Sequence, residues 1–283
     1  MKTVPTGTTL IEWPESVARD GTLITFGIAL KSAIASSNWA RTTALLTNTL
    51  SSLINQTDDR FRILICGHEM PVLPQSRKIE FIRANWIPSP DKRDFILDKQ
   101  TKRLLLGSRL RQAGGGLYMQ LDADDILHRD IVHRAHNSSR EGGVVITKGW
   151  VLDYSNGVIA PVPGVWSIDI DRVCGSTAIT RFAPEEIVDE WPPDGSNPSM
   201  FSRAGHHAYI RALYDEHRRP LEEIDWPSVI YVVNSGENLS FALNRTGARE
   251  TGLLQNILDH RVTDRNRLRT LSEEFGLDLQ LLR

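Results

Sequence analysis

Tyr118-Met119-Gln120-Leu121-Asp122-Ala123-Asp124-Asp125 is an apolar run that stops at three carboxylates within four positions. Strand alternation sets Asp122 and Asp124 on one face and Asp125 on the other. Like charges this close repel one another, and nothing about ending a strand calls for them. A divalent cation removes that objection, because hard cations take carboxylate oxygens as ligands. The competing description is a solvated acidic turn in which one carboxylate caps the next helix. The run before the cluster has the composition of a buried strand, which favours the metal site.

Two kinds of acidic motif fit poorly. Phosphohydrolases of the haloacid dehalogenase type follow their Asp-x-Asp with Thr or Val and carry it near the N-terminus. Here Asp125-Ile126 follow, and earlier strand candidates precede. An EF-hand loop needs Asp, Asn and Gly at fixed later positions, which Ile126-Leu127-His128 breaks.

The elements that must hold the cluster are legible in outline. Leu23–Leu30 reads as a first buried strand and its exit, with Gly27 following the strand. Asn38 suits the cap of a helix over 39–55, with Leu46, Leu50, Leu53 and Ile54 on one stripe. Arg62–Cys66 and Ile79–Arg83 follow as strands. A helix over 99–113 is broken by Gly114-Gly115-Gly116, directly before the motif strand. Strand, helix, strand, strand, helix, strand implies right-handed crossovers and a mostly parallel sheet. Ligands bind such sheets beyond the carboxyl ends of the strands, where the carboxylates sit. Residues 143–154 and 158–162 suit a hairpin turning at Ser155-Asn156-Gly157. Val229–Val233 is a late strand, left through the polar loop Asn234–Asn238. Two amphipathic helices fill 250–283 and could pack on the domain, join a second copy or lie on a membrane surface.

Composition bounds the function. The chain has 283 residues, 40% hydrophobic, and a net charge of −2. That size suits one large α/β domain or one domain with an extension. The charge gives no electrostatic case for nucleic acid. Neither a signal peptide nor an integral membrane segment is visible, so a cytoplasmic location is expected. Cys66 and Cys174 lack metal or redox spacing and are expected as reduced thiols.

Leu121-Asp122-Ala123-Asp124-Asp125 resembles the Asp-x-Asp motif of family-2-like nucleotide-sugar glycosyltransferases with the GT-A fold. Weaker likenesses extend over residues 20–245. They are Leu50-Ser51-Ser52-Leu53 with Gln56-Thr57, Asp98 with Lys102, Cys174-Gly175-Ser176, and Gly205-His206-His207. The resemblance implies a GT-A type, Rossmann-like α/β/α sandwich over 1–245 and a helical C-terminal extension over 246–283. It implies a metal-dependent transferase, more specifically a hexosyltransferase, moving a sugar from a nucleoside-diphosphate donor, UDP-linked by preference, to a saccharide or other hydroxyl acceptor.

Residue by residue, the resemblance assigns Asp124 and Asp125 to Mn²⁺ or Mg²⁺, with His206 or His207 as a further ligand. It assigns Asp122 to the ribose or sugar hydroxyls of the donor. Lys102 and Arg103 are candidates for the diphosphate, beside the alternative of a solvated basic helix face. Gly27 is either a point where the nucleotide meets the backbone or a bulge. A catalytic base is not identified; Asp189-Glu190 and Glu222-Glu223-x-Asp225 are the carboxylate candidates. Trp150, Tyr154, Trp166 and Trp191 suit either an acceptor surface or the core. A nucleotidyltransferase is the alternative enzyme, although Gly27-Ile28-Ala29-Leu30-Lys31 is a poor match to its Gly-rich loop. A non-catalytic nucleotide-sugar binding protein of the same fold is the alternative outside enzymes. The oligomeric state, the donor base and sugar, and the stereochemistry stay open.

Overall fold

A computed structural model describes residues 23–187, 199–205, 207–238 and 247–278. Among them, seven strands form a mixed sheet. These are β1 (Ile24–Ala29), β2 (Phe61–Gly67), β3 (Ile79–Arg83), β4 (Gly116–Leu121), β6 (Gly143–Ile146), β9 (Ala178–Phe182) and β10 (Glu222–Ile224). Their order is β10-β6-β9-β4-β1-β2-β3. β1 runs parallel to both β2 and β4, and β3 parallel to β2. Only β9 runs against its neighbours, β4 and β6. This is the mostly parallel α/β arrangement expected of the GT-A type.

Central strands of a parallel sheet are covered on both faces, so their sequences are continuous apolar runs. Ile24, Phe26, Ile28, Met119 and Leu121 are fully buried. Helix α1 (Trp39–Ile54) is capped by Asn38, whose side chain accepts from the Arg41 N–H, and it buries Leu46, Leu50 and Leu53 against the sheet. Helix α2 (Phe95–Gln112) begins four residues before the expected start at 99. Its apolar stripe is poor because its inner face buries Thr101, Lys102, Ser108 and Arg109 beside Leu104, Leu106 and Leu110. Gly114, Gly115 and Gly116, all at positive φ, turn the chain from α2 into β4.

Residues 143–154 are not one strand. The chain leaves β6 after Ile146 and enters β7 (Gly149–Asp153) in a second sheet. That sheet joins β5 (Ile126–Leu127), β11 (Val229–Val233), β7 and β8 (Val158–Val162), in that order. The β7–β8 hairpin forms as the turn residues predict. The shorter helices are α3 (Ile131–His136), α4 (Met200–Arg203) and α5 (Ile210–Glu216). The C-terminal helices, α6 (Gly247–Asp259) and α7 (Arg265–Phe275), pack on the domain. Ile257 enters the main core, while Leu271 and Phe275 join Trp150, Leu152 and Ile230 under the second sheet. Among the described residues no helix is long and apolar enough to cross a membrane.

Candidate functional site

A cavity of about 490 Å³ opens at the carboxyl ends of β1 and β4. Such a volume lies within the usual range for small-molecule sites, about 300–1,000 Å³. Its walls come from the exit of β1, helices α1 and α2, the Asp cluster, the segments around Gly175 and His207, and the end of β11 with the loop after it.

The Asp cluster divides as strand alternation requires. Asp122 and Asp124 line the cavity, whereas Asp125 turns into the protein and is fully buried. Asp125 accepts from the Val232 N–H at 3.1 Å and from the Cys174 thiol at 3.3 Å. Its expected place on a metal is therefore corrected: it ties β4 to β11. Burial, with the Asp122 charge adding, pushes its carboxyl up to about 7, against the hydrogen bonds from Ser176, Val232 and Cys174.

Asp122 receives the Lys99 ammonium at 2.6 Å, and its backbone N–H donates to Ser176 Oγ at 2.9 Å. Burial opposes its ionisation, but Lys99, then Arg103 and His207, outweigh it and lower its pKa. Asp124 behaves oppositely. Burial, reinforced by Asp125 and Asp122, raises its carboxyl well above the usual range. The Asn238 side chain donates to it at 2.8 Å.

Helix α2 supplies the cations. Residues four apart share a helix face, which brings Lys99 and Arg103 to the cavity together. Lys102 reaches its edge, but its ammonium donates to Asp98 at 2.5 Å and to the Leu30 carbonyl at 2.9 Å, with 1% of its surface exposed. Asp98 also accepts from His68 Nε2 at 2.9 Å and Trp86 Nε1 at 3.0 Å. Lys102 is thus committed to a closed hydrogen-bonded hub, and the expectation that it meets a diphosphate is corrected. Lys99, one of several cations in that stretch of sequence, is the one paired with Asp122 on the cavity wall.

His207 lines the cavity opposite. A Cβ on Gly175 would lie 3.6 Å from Asp122 Oδ2 and 3.9 Å from His207 Nδ1, so this glycine separates the two. His206 lies outside the described residues. Gly27 does not border the cavity. It is in register with Leu64 and Gln120 on either side, which excludes a bulge, and a side chain there would collide with Tyr118. Its missing Cβ houses the Tyr118 ring rather than a nucleotide.

The carboxylates considered as bases fare as follows. Glu222 is paired with Arg134 at 2.6 Å and Glu223 with Arg211 at 2.8 Å, and neither they nor Asp225 line the cavity. Asp189, Glu190 and Trp191 lie outside the described residues. Trp150, Tyr154 and Trp166 pack on the cores rather than on the cavity. Tyr231 and Phe95 are the aromatic side chains on its wall.

Glu237 carries no motif and is central to the architecture. It is 8% exposed and accepts from Lys31 Nζ at 2.8 Å, the Asn38 N–H at 2.7 Å, and the Ser36 and Ser37 hydroxyls. It clamps the loop after β11 onto the exit of β1, on the rim of the cavity.

Among the described residues no three His, Cys, Asp or Glu side chains form a group able to hold a metal by themselves. Asp122 and Asp124 suit a cation whose remaining ligands come from elsewhere. Mg²⁺ in particular takes one or two carboxylates together with substrate phosphates and waters.

No family model matches the chain, and no curated protein does. Among solved structures it is similar to the galactosyltransferase LgtC in complex with donor and acceptor sugar analogs. The match covers 86% of this chain and 98% of that one, at 11% identity and a TM-score of 0.36. A likeness at that score adds no weight to the roles of the residues above.

Proposed function

We propose that the protein binds a nucleoside-diphosphate sugar, UDP-linked by preference, in the cavity at the ends of β1 and β4, and transfers the sugar to a hydroxyl acceptor. One observation carries this reading. Two carboxylates, Asp122 and Asp124, and two α2 cations, Lys99 and Arg103, line one space of ligand size, with Lys99 already paired to Asp122. A diphosphate is drawn to the cations directly and to the carboxylates through a divalent ion.

Asp122 and Asp124 would hold Mn²⁺ or Mg²⁺, with His207 as a further donor within the same cavity. When bound, such an ion stabilises the charge that gathers on a departing diphosphate. Lys99 and Arg103 act on the same charge without it. Tyr231 and Phe95 offer ring faces to a base or sugar. Since these side chains do not by themselves form a group able to hold a metal, metal and nucleotide bind together.

Titration calorimetry tests this on wild type and Asp124→Ala, using Mn²⁺ alone, UDP alone, and UDP with Mn²⁺. The expected result is weak binding of either alone, tight binding of both together, and loss of that synergy in the variant. Turnover of UDP-sugars with hydroxyl acceptors then separates an enzyme from a binding protein. Absence of binding by UDP, GDP and dTDP, with or without metal, would rule the reading out.

A further inference from the structure

Four buried side-chain nitrogen or oxygen atoms among the described residues have no hydrogen-bond partner: Arg103 Nε, Tyr118 Oη, Gln120 Oε1 and Trp150 Nε1. Buried polar groups are nearly always satisfied, so each exception calls for an explanation. Three of the four belong to residues lining one small pocket of about 20 Å³. That pocket shares Arg103, Gln120, Gly175, Gly205 and His207 with the main cavity and is its deep end.

The pocket follows from the strand. Tyr118, Gln120 and Asp122 alternate onto one face of β4, so a polar ladder descends from Asp122 into the sheet. Two glycines make room for it. A side chain at Gly27 would collide with the Tyr118 hydroxyl, and one at Gly205 with the Arg103 guanidinium. Burial raises the pKa of Tyr118, so the phenol keeps its proton.

We infer that this deep end is a subsite for one hydroxyl group of the ligand's sugar. Arg103 Nε–H and Tyr118 Oη–H donate to that hydroxyl, and Gln120 Oε1 accepts from it. A hydroxyl has two acceptor lone pairs and one donor hydrogen, which matches this set. A carboxylate would bring a second acceptor against Gln120 Oε1, and an apolar group would leave all three atoms unsatisfied. The volume admits one oxygen-sized group, sugar hydroxyl or water, and no more. The inference rests on the nucleotide-sugar reading and adds a place where one sugar is told from another.

The test compares binding of UDP, UDP-glucose and UDP-galactose, each with Mn²⁺, to wild type, Gln120→Leu and Tyr118→Phe, with thermal melting as a check on folding. Monodeoxy forms of the tighter UDP-hexose complete the series. If GDP or dTDP proves to be the nucleotide that binds, its sugar series takes their place. Wild type is expected to prefer at least one nucleotide sugar over the bare nucleotide. Both variants should lose about 10-fold for that sugar, the cost of a broken buried hydrogen bond, with the bare nucleotide unchanged. One deoxy form should bind all three proteins equally, identifying the hydroxyl. Equal weakening of nucleotide and nucleotide sugar, or no weakening of either, would overturn the subsite and leave a resident water there. Absence of any nucleotide binding would overturn the functional reading itself, and the subsite with it.

Discussion

Helix α2 serves two acidic groups, and they are finished differently. Around Asp98, the side chains of Lys102, His68 and Trp86 all donate to the carboxylate, and Lys102 donates a second bond to the Leu30 carbonyl. Around Asp122, on the neighbouring face of the helix, Lys99 makes a partly exposed contact while Arg103 keeps a buried N–H without a partner. Both regions join carboxylates to cations from one helix. The first is closed and holds the fold; the second has hydrogen-bonding capacity left over beside a cavity. Unspent capacity, rather than charge alone, distinguishes a binding site from a structural hub.

Four substitutions test that contrast. Lys102→Met breaks the hub and leaves Asp98 a largely buried charge without its ammonium. Urea unfolding should show a loss of about 3–5 kcal/mol. A loss below about 1 kcal/mol would mean that the hub is not structural.

Asp125→Asn comes next and is read through pH. The folded carboxyl titrates at about 7, above its ordinary value of 3.8, so the folded state holds a proton that the unfolded chain releases. The stability contributed by this group is therefore fully present below pH 4 and falls as pH rises from 4 to 7. The variant lacks that slope, and the gap between the two should change by about 1 kcal/mol or more across the window. Parallel curves in the presence of EDTA would contradict the assignment.

Lys99→Met should change stability by less than about 1 kcal/mol, as expected for a partly exposed pair. The same change should weaken UDP binding about 10-fold through loss of a charge-assisted contact. A stability loss equal to that of Lys102→Met would erase the distinction between the two regions.

Gly175→Ala is expected to be smallest in stability, within about 0.5 kcal/mol, because the added methyl meets only ordinary contacts at 3.6 and 3.9 Å. It intrudes between Asp122 and His207, so nucleotide affinity should still fall measurably by calorimetry. Unchanged affinity would place the ligand away from Gly175.

Much of this was legible in the residues. Apolar runs gave β1, β2 and β4, Asn38 marked the start of α1, and alternation split the three carboxylates between two faces. The assignment of α2 cations was not legible, because Lys99, Lys102 and Arg103 are equivalent until the helix is docked. Its start was missed because a helix that buries Lys102 and Arg109 shows little apolar periodicity. The second sheet was missed because Thr147-Lys148 carry no strong break, so two strands read as one. The polar loop carrying Glu237 was visible, but its clamp was not, since its partners lie about 200 positions away. Gln120, a polar residue inside a buried strand, was the available clue to the deep pocket.

The clamp made by Glu237 also bears on how the protein comes to be folded. Its contacts with Lys31 and Asn38 span 206 and 199 positions, and the bond from Val232 to Asp125 spans 107. Closing such long loops is entropically costly and slow, so local turns and helices form before them. On the ribosome, the first half of the sheet can pair while the segment that seals the cavity is still unmade. The binding rim then assembles after the central strands. In the finished protein it should open ahead of the central strands in hydrogen exchange, and a bound nucleotide should slow that opening most.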